Sequence, residues 1–104
     1  MRRGEVWWAD LPRPAGRRPV VLLSRDVAYE VRTAITVAPI TRTIRDIPVE
    51  VRLGRSDGLP AECVVNLDDI MTIPKSLLKN RMAMLSGEKT AEIELAIRFA
   101  LDLA

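Results

Sequence analysis

The stretch Gly16–Ser24, GRRPVVLLS, sets two adjacent arginines against a proline and then runs straight into an unbroken apolar segment. Val20 to Leu23 have the β-branched and aliphatic character of a buried strand. Buried strands ordinarily start from neutral turn residues, so the doubled charge serves something the strand does not need. Pro19 restricts the residue before it to extended geometry, which places Arg18 at a rigid strand start rather than in a mobile loop. Arg17 is expected to point to the other face.

Working outward, the first half of the chain is a succession of short strand-like runs. EVWWADL (5–11), PVVLLS (19–24) and TAITVAPI (33–40) are each bounded by proline, glycine or charged turns. In IPVEVRL, Ile47, Val49, Val51 and Leu53 alternate with Pro48, Glu50 and Arg52, the period of a strand with one wet face. Pro48 cannot donate to a ladder, so this strand starts there or lies at an edge. SDGL (56–59) reads as a turn, ECVVN (62–66) as another strand and KNRMAML (79–85) as the last.

The C-terminus changes period. Ile93, Ala96, Ile97, Ala100 and Leu101 fall on one helical face, with Ser86 placed to cap the start. Many short strands followed by one amphipathic helix predict a mainly β, α+β fold: a small, strongly bent β-barrel with helices laid against it. With 104 residues and no repeat, linker or low-complexity tract, a single domain spanning 1–104 is expected. No apolar run approaches a membrane span, and MRRGEVWWAD turns acidic where a signal peptide would be apolar, so a cytoplasmic location is expected.

Composition narrows the chemistry. The chain has no histidine, which removes every catalytic arrangement built on imidazole and the commonest metal ligand. Its one cysteine, Cys63, sits in an apolar run and reads as a core residue rather than a nucleophile. The net charge of +2 hides an asymmetry: residues 1–55 hold eleven arginines, no lysine and six acids, for +5, while residues 56–104 total −3. Guanidinium groups offer a flat fork of donors to phosphate and stack on bases, so the basic half points to a nucleic acid or another polyanion. Asp68-Asp69 as a Mg²⁺ site lacks a third ligand and reads as a solvated acidic turn. Of Trp7-Trp8, one must face the core, leaving at most one to stack on a base.

RGEVWWADL (3–11), GRRPVVLLS (16–24), TAITVAPIT (33–41) and GLPAECVVNLDDIMTIPKSLL (58–78) together resemble the MazF/PemK family of toxin endoribonucleases, in order and over nearly the whole chain. The resemblance implies an SH3-like β-barrel with flanking helices, a homodimer, no cofactor or metal, cleavage of single-stranded RNA at short motifs, and a cognate antitoxin. It carries the catalytic arginine onto Arg18 and the catalytic threonine onto Thr41. Read from the residues alone, Thr41 is a strand-end hydroxyl capping a turn. Arg13, Gly16, Arg17, Arg42, Thr43, Arg45 and Asp69 are the substrate-binding candidates, and a groove of arginines 13, 17, 18, 42 and 45 would also accept an acidic, disordered antitoxin tail. Arginine stays protonated and is a poor base, so Arg18 is assigned to stabilising the phosphorane oxygens and Thr41 to donating to a phosphate oxygen.

Two departures from the family pattern stand out. The first loop, PRPAG (12–16), lacks the acid and hydroxyl of the Gly-Ser-Glu-Gln-like segment common in the family, which leaves proton transfer open. Asp69 stands where glutamine is common, which makes the groove more negative there. Two rival functions share the scaffold: a CcdB-like gyrase poison, disfavoured by the ending ALDLA, and a noncatalytic nucleic-acid-binding barrel, which would not need Thr41.

Overall fold

In the computed structural model, which describes residues 1–104, the run beginning at Arg17 is a strand covered on both faces. Val21 enters one core cluster with Val6, Ala38 and Ile40, while Val20 and Leu22 enter a second with Ala9, Val37 and Ile35. A strand with apolar material on both sides needs an apolar residue at every position, which is why PVVLL shows no alternation.

The elements are β1 (Glu5–Asp10), β2 (Arg17–Leu22), a single helical turn α1 (Ala28–Val31), β3 (Ala34–Thr41), β4 (Glu50–Leu53), β5 (Cys63–Asn66), β6 (Met71–Pro74), β7 (Leu78–Met84) and α2 (Gly87–Ala100). The sheet is antiparallel throughout, in the order β4-β5-β3-β2-β1-β7, with β6 added on β3. Strand β3 carries the bend. Its first half, Ala34 to Val37, pairs with β6, while Ile40 and Thr41 pair with β5. Register shifts between β1 and β7 at Val6/Trp7 and Trp8/Ala9 add local twist.

The expected barrel is therefore a mostly β, strongly bent sheet that stays open, since no ladder joins β4 to β7. Its two ends approach through packing instead: the turn after β4 brings Gly58 against Ala83 of β7. Four-residue β4 starts only at Glu50, beyond Pro48, and lies at the edge of the sheet. The sequence reading missed β6 and the α1 turn. MTIP is only four residues long and ends in proline, too short for its alternation to mark it; its strand state comes from the ladder to β3, where Thr36 and Thr72 hydroxyls meet at 3.3 Å.

Helix α2 starts where expected, with Ser86 Oγ accepting the Lys89 N–H at 3.1 Å. Ile93 and Ala96 are buried in the first cluster, and Ile97 and Ala100 pack partly against it. Leu101 departs from its expected place: the helix ends at Ala100, the chain turns away, and Leu101 is 57% exposed. No helix is long and apolar enough to cross a membrane.

One buried carboxylate ties three parts of this fold. Glu5 Oε1 accepts the Arg2 N–H at 3.1 Å and the Trp7 indole N–H at 2.9 Å, and Oε2 accepts Arg81 Nε of β7 at 3.1 Å. Burial pushes its pKa up, but the Trp7 and Arg2 bonds and the nearby positive charges outweigh it and hold the carboxyl below its ordinary 4.5. A carboxyl whose folded pKa is depressed stabilises fully above its unfolded pKa and loses that contribution as pH falls through the folded value. We expect Glu5→Gln to cost about 1–3 kcal/mol at neutral pH. Chemical denaturation across an acid series should show the gap between wild type and variant closing below about pH 4.5. A gap independent of pH would mean that the charge of Glu5 contributes nothing.

Candidate functional site

The loop Pro12–Gly16 is short because it closes on itself: Leu11 N–H donates to the Gly16 carbonyl at 3.2 Å, and Gly16 takes φ +66°, a conformation glycine adopts without strain. The same loop fixes Arg18. Its Nε donates to the Ala15 carbonyl at 3.1 Å, and no carboxylate pairs with the guanidinium. A half-buried arginine held by one carbonyl, its terminal NH₂ groups unpaired, is a pre-positioned donor fork.

Thr41 closes β3 beside it. Its Oγ1 accepts the Thr43 N–H at 3.2 Å, so the turn-capping role read from the residues alone is present. That bond uses the oxygen as an acceptor and leaves the hydroxyl hydrogen free to donate. Both roles are therefore compatible in one side chain.

Arg17, Arg18, Thr41 and Arg42 border a single open cleft of about 300 Å³, together with Trp8, Pro19 and Ile40. Arg17 and Arg18 point to opposite faces of β2, as the alternation predicts, and both reach the cleft at the end of the strand. Arg17 lies directly opposite Asp10 in the β1–β2 ladder, pairs with it at 3.7 Å and lays its guanidinium over the Trp8 ring, 5.0 Å from the centroid. Asp10 and, diagonally, Trp8 lie on Arg17's own face of the ladder, so its charge ends up where the alternation of Cβ atoms places it. Of the two tryptophans, Trp7 leans on the second core cluster and bonds Glu5, while Trp8 faces the cleft.

The remaining candidates separate. Arg13, Thr43 and Arg45 are exposed but line none of the clefts around Arg18. Residues 42–49 are shaped by two acids: Glu50 accepts the Arg45 and Asp46 N–H groups at 2.9 and 3.0 Å, and Asp46 pairs with Arg52 at 2.8 Å. Asp69 borders a second open space, about 560 Å³, on the other flank of Arg18, with Asp68, Pro14 and Ala15. Asp69 Oδ2 accepts Asn66 Nδ2 at 3.1 Å, and no three metal-ligating side chains cluster anywhere in the chain. Cys63 is buried, and burial, reinforced by Asp57, pushes its thiol pKa up, as suits a core residue.

A third feature escaped the sequence reading. Leu59, Pro60 and Ala61 form a wall against Trp8, Pro19 and Ile40, enclosing a small slot of about 90 Å³ that opens beside Thr41 and Arg42. These residues lie far along the chain from Arg18 and arrive through the β3–β5 ladder, in which Thr41 is opposite Val64.

This is a small β protein whose open, bent antiparallel sheet carries an arginine-lined cleft. Residues 2–101 match the model of the PemK-like, MazF-like toxins of type II toxin-antitoxin systems, and the chain belongs to that family. It is 42% identical over 101 residues to a probable endoribonuclease MazF5 of Mycobacterium tuberculosis, covering 96% of this chain and 92% of that one. The M. tuberculosis toxin MazF-mt6 superposes with a TM-score of 0.89 at 34% identity, covering 96% of this chain and 98% of the other. A mycobacterial endoribonuclease solved in complex with its cognate antitoxin superposes equally well, TM-score 0.89 at 29% identity, over 100% of this chain and 97% of that one.

Proposed function

We propose that this toxin is a sequence-specific endoribonuclease that cuts single-stranded RNA through the RNA's own 2′-hydroxyl, with Arg18 and Thr41 as its catalytic residues. The observation that carries the reading is their meeting: an unpaired arginine fork and a hydroxyl with a free hydrogen border one open cleft. Because the substrate supplies the nucleophile, the enzyme's task is to align the 2′-oxygen with phosphorus and to stabilise charge on the phosphoryl oxygens. Arg18 donates to those oxygens from a fixed base, and Thr41 adds a hydrogen bond. The 2′-oxygen forms a bond to phosphorus, the 5′-oxygen leaves, and the open cleft lets solvent accept the first proton and return one to the 5′-oxygen. Metal independence belongs to the same reading, since the positive charge comes from guanidinium groups.

Arg17 and Arg42 bind the RNA backbone on either side, while Arg13, Thr43 and Arg45 act outside the cleft as further contacts on the flanking strand. The gyrase-poison and noncatalytic alternatives give this cleft no use for Thr41. The test is an oligonucleotide carrying one deoxyribose at the cleavage position. It should bind but resist cutting, while the all-ribose substrate should yield 2′,3′-cyclic phosphate and 5′-hydroxyl ends with EDTA present. Normal cleavage of the deoxy substrate would sink the mechanism.

The partners follow from the same charges. A cognate antitoxin with an acidic, disordered tail would pair its carboxylates with these arginines and compete with RNA; a mycobacterial relative is known in complex with its antitoxin. The toxin acts in the cytoplasm as a homodimer, which would cover apolar side chains such as Leu95 and Phe99, now 68% and 62% exposed. Titration of antitoxin against a labelled noncleavable RNA should displace the RNA; simultaneous binding with unchanged affinity would show that inhibition works elsewhere.

A further inference from the structure

The slot beside Thr41 has a use that phosphate chemistry does not require. Its walls are Pro19 and Ile40 on one side and Leu59, Pro60 and Ala61 on the other, with the Trp8 ring shared between slot and cleft. Arg17 stacks over Trp8 and borders the cleft but not the slot, so this cation–π contact holds the ring in place without filling the space. At about 90 Å³ the slot is less than a third the size of the cleft beside it, a space suited to one heterocyclic ring rather than two. The only charged group at its mouth is Arg42, a donor with no acceptor function.

Resting on the endoribonuclease reading, we propose that this slot receives one unstacked pyrimidine base adjacent to the scissile phosphate, and that Trp8, Leu59 and Ala61 set the size limit that excludes purines. Thr41 and Arg42 border both spaces, so a nucleotide whose phosphate lies against Arg18 and Thr41 has the slot within reach of its own or the neighbouring base. Trp8 supplies the stacking surface. Arg42 donates to the O2 keto oxygen that uracil and cytosine share, so the slot selects a class of base without distinguishing its two members.

The experiment cuts a random-sequence single-stranded RNA pool with the full-length protein and sequences the ends. Wild type should restrict one position flanking the cut to pyrimidines, about ten- to a hundred-fold, the worth of one base–aromatic stack. Ala61→Leu, which fills the slot from a half-buried position, should lower cleavage and erase that restriction. Leu59→Ala, which enlarges the slot, should admit purines there. Because Leu59 belongs to the core and its variant is at risk of unfolding, a second arm uses the intact slot. In Trp7→Phe protein, which reports Trp8 alone, noncleavable deoxy oligonucleotides carrying a pyrimidine at the flanking position should quench emission, and the abasic equivalents should not.

The outcomes separate the two readings. Cleavage with no base restriction beside the cut, or a restriction unchanged in Ala61→Leu, overturns the base slot and leaves the endoribonuclease standing; the latter is also what a slot made for a peptide side chain would give. Absence of cleavage together with base-dependent quenching retains the slot and removes the enzyme. Absence of both cleavage and base-dependent quenching overturns both.

Discussion

Arg18→Ala is expected to lower the rate of RNA cleavage by about 10²–10³, the typical cost of losing one donor aimed at developing charge. The fold should survive. Arg18 is the second residue of β2, and the bond lost to the Ala15 carbonyl is worth about 0.5–1.5 kcal/mol. Arg18→Lys should recover little, because an ammonium cannot replace a fork already fixed through Nε. Thr41→Val keeps the branched shape, removes the hydrogen that would be donated and also frees the Thr43 N–H, so its smaller loss should appear in both kcat and, slightly, in stability. Arg45→Ala is the control for binding without catalysis. Its guanidinium lies outside the cleft, so it should raise KM, reduce the slope of log affinity against log salt by about 1, and leave kcat near wild type. Undiminished turnover in Arg18→Ala would transfer the role to another residue and undo the assignment of the cleft.

How legible this was in the sequence differs between its parts. Strands flanked by turn chemistry declared themselves, as did the helix capped by Ser86, because period and punctuation are local properties. β6 was invisible because its strand state depends on Thr36 and Val37, more than thirty positions earlier in the chain. Arg18 was legible because Pro19 dictates the geometry before it. Arg17 was legible for a similar reason: alternation sets it on the face of Asp10 and Trp8, the two groups its guanidinium meets. The Leu59–Ala61 wall could not have been found by spacing at all. It reaches the cleft only because β3 bends from its β6 partner to its β5 partner within one strand.

That bend also brings the ends of the sheet together, and Gly58→Ala should expose what the contact is worth. SDGL reads as a turn from composition, and Gly58 indeed caps the single turn Arg55–Asp57 at φ +93°. Holding an L-residue there costs about 1–2 kcal/mol. The second cost is the one no turn motif reveals: a Cβ on Gly58 would lie 2.7 Å from the Cβ of Ala83 in β7, and neither is the far end of a flexible side chain. Forcing the two apart adds about 1–3 kcal/mol of overpacking. Against a typical total of about 5–15 kcal/mol, the sum is a large fraction of the stability of a domain this size. We expect a fall in Tm of roughly 8–20 °C, taking several degrees per kcal/mol for a chain of this length. Ala83→Gly opens the space, so the double variant should recover the overpacking share and keep the backbone share, a coupling that a double-mutant cycle reads directly. If the two substitutions prove additive, the ends of the sheet are not held by this contact. The open edge between β4 and β7 would then be closed by α2 and the shared core alone.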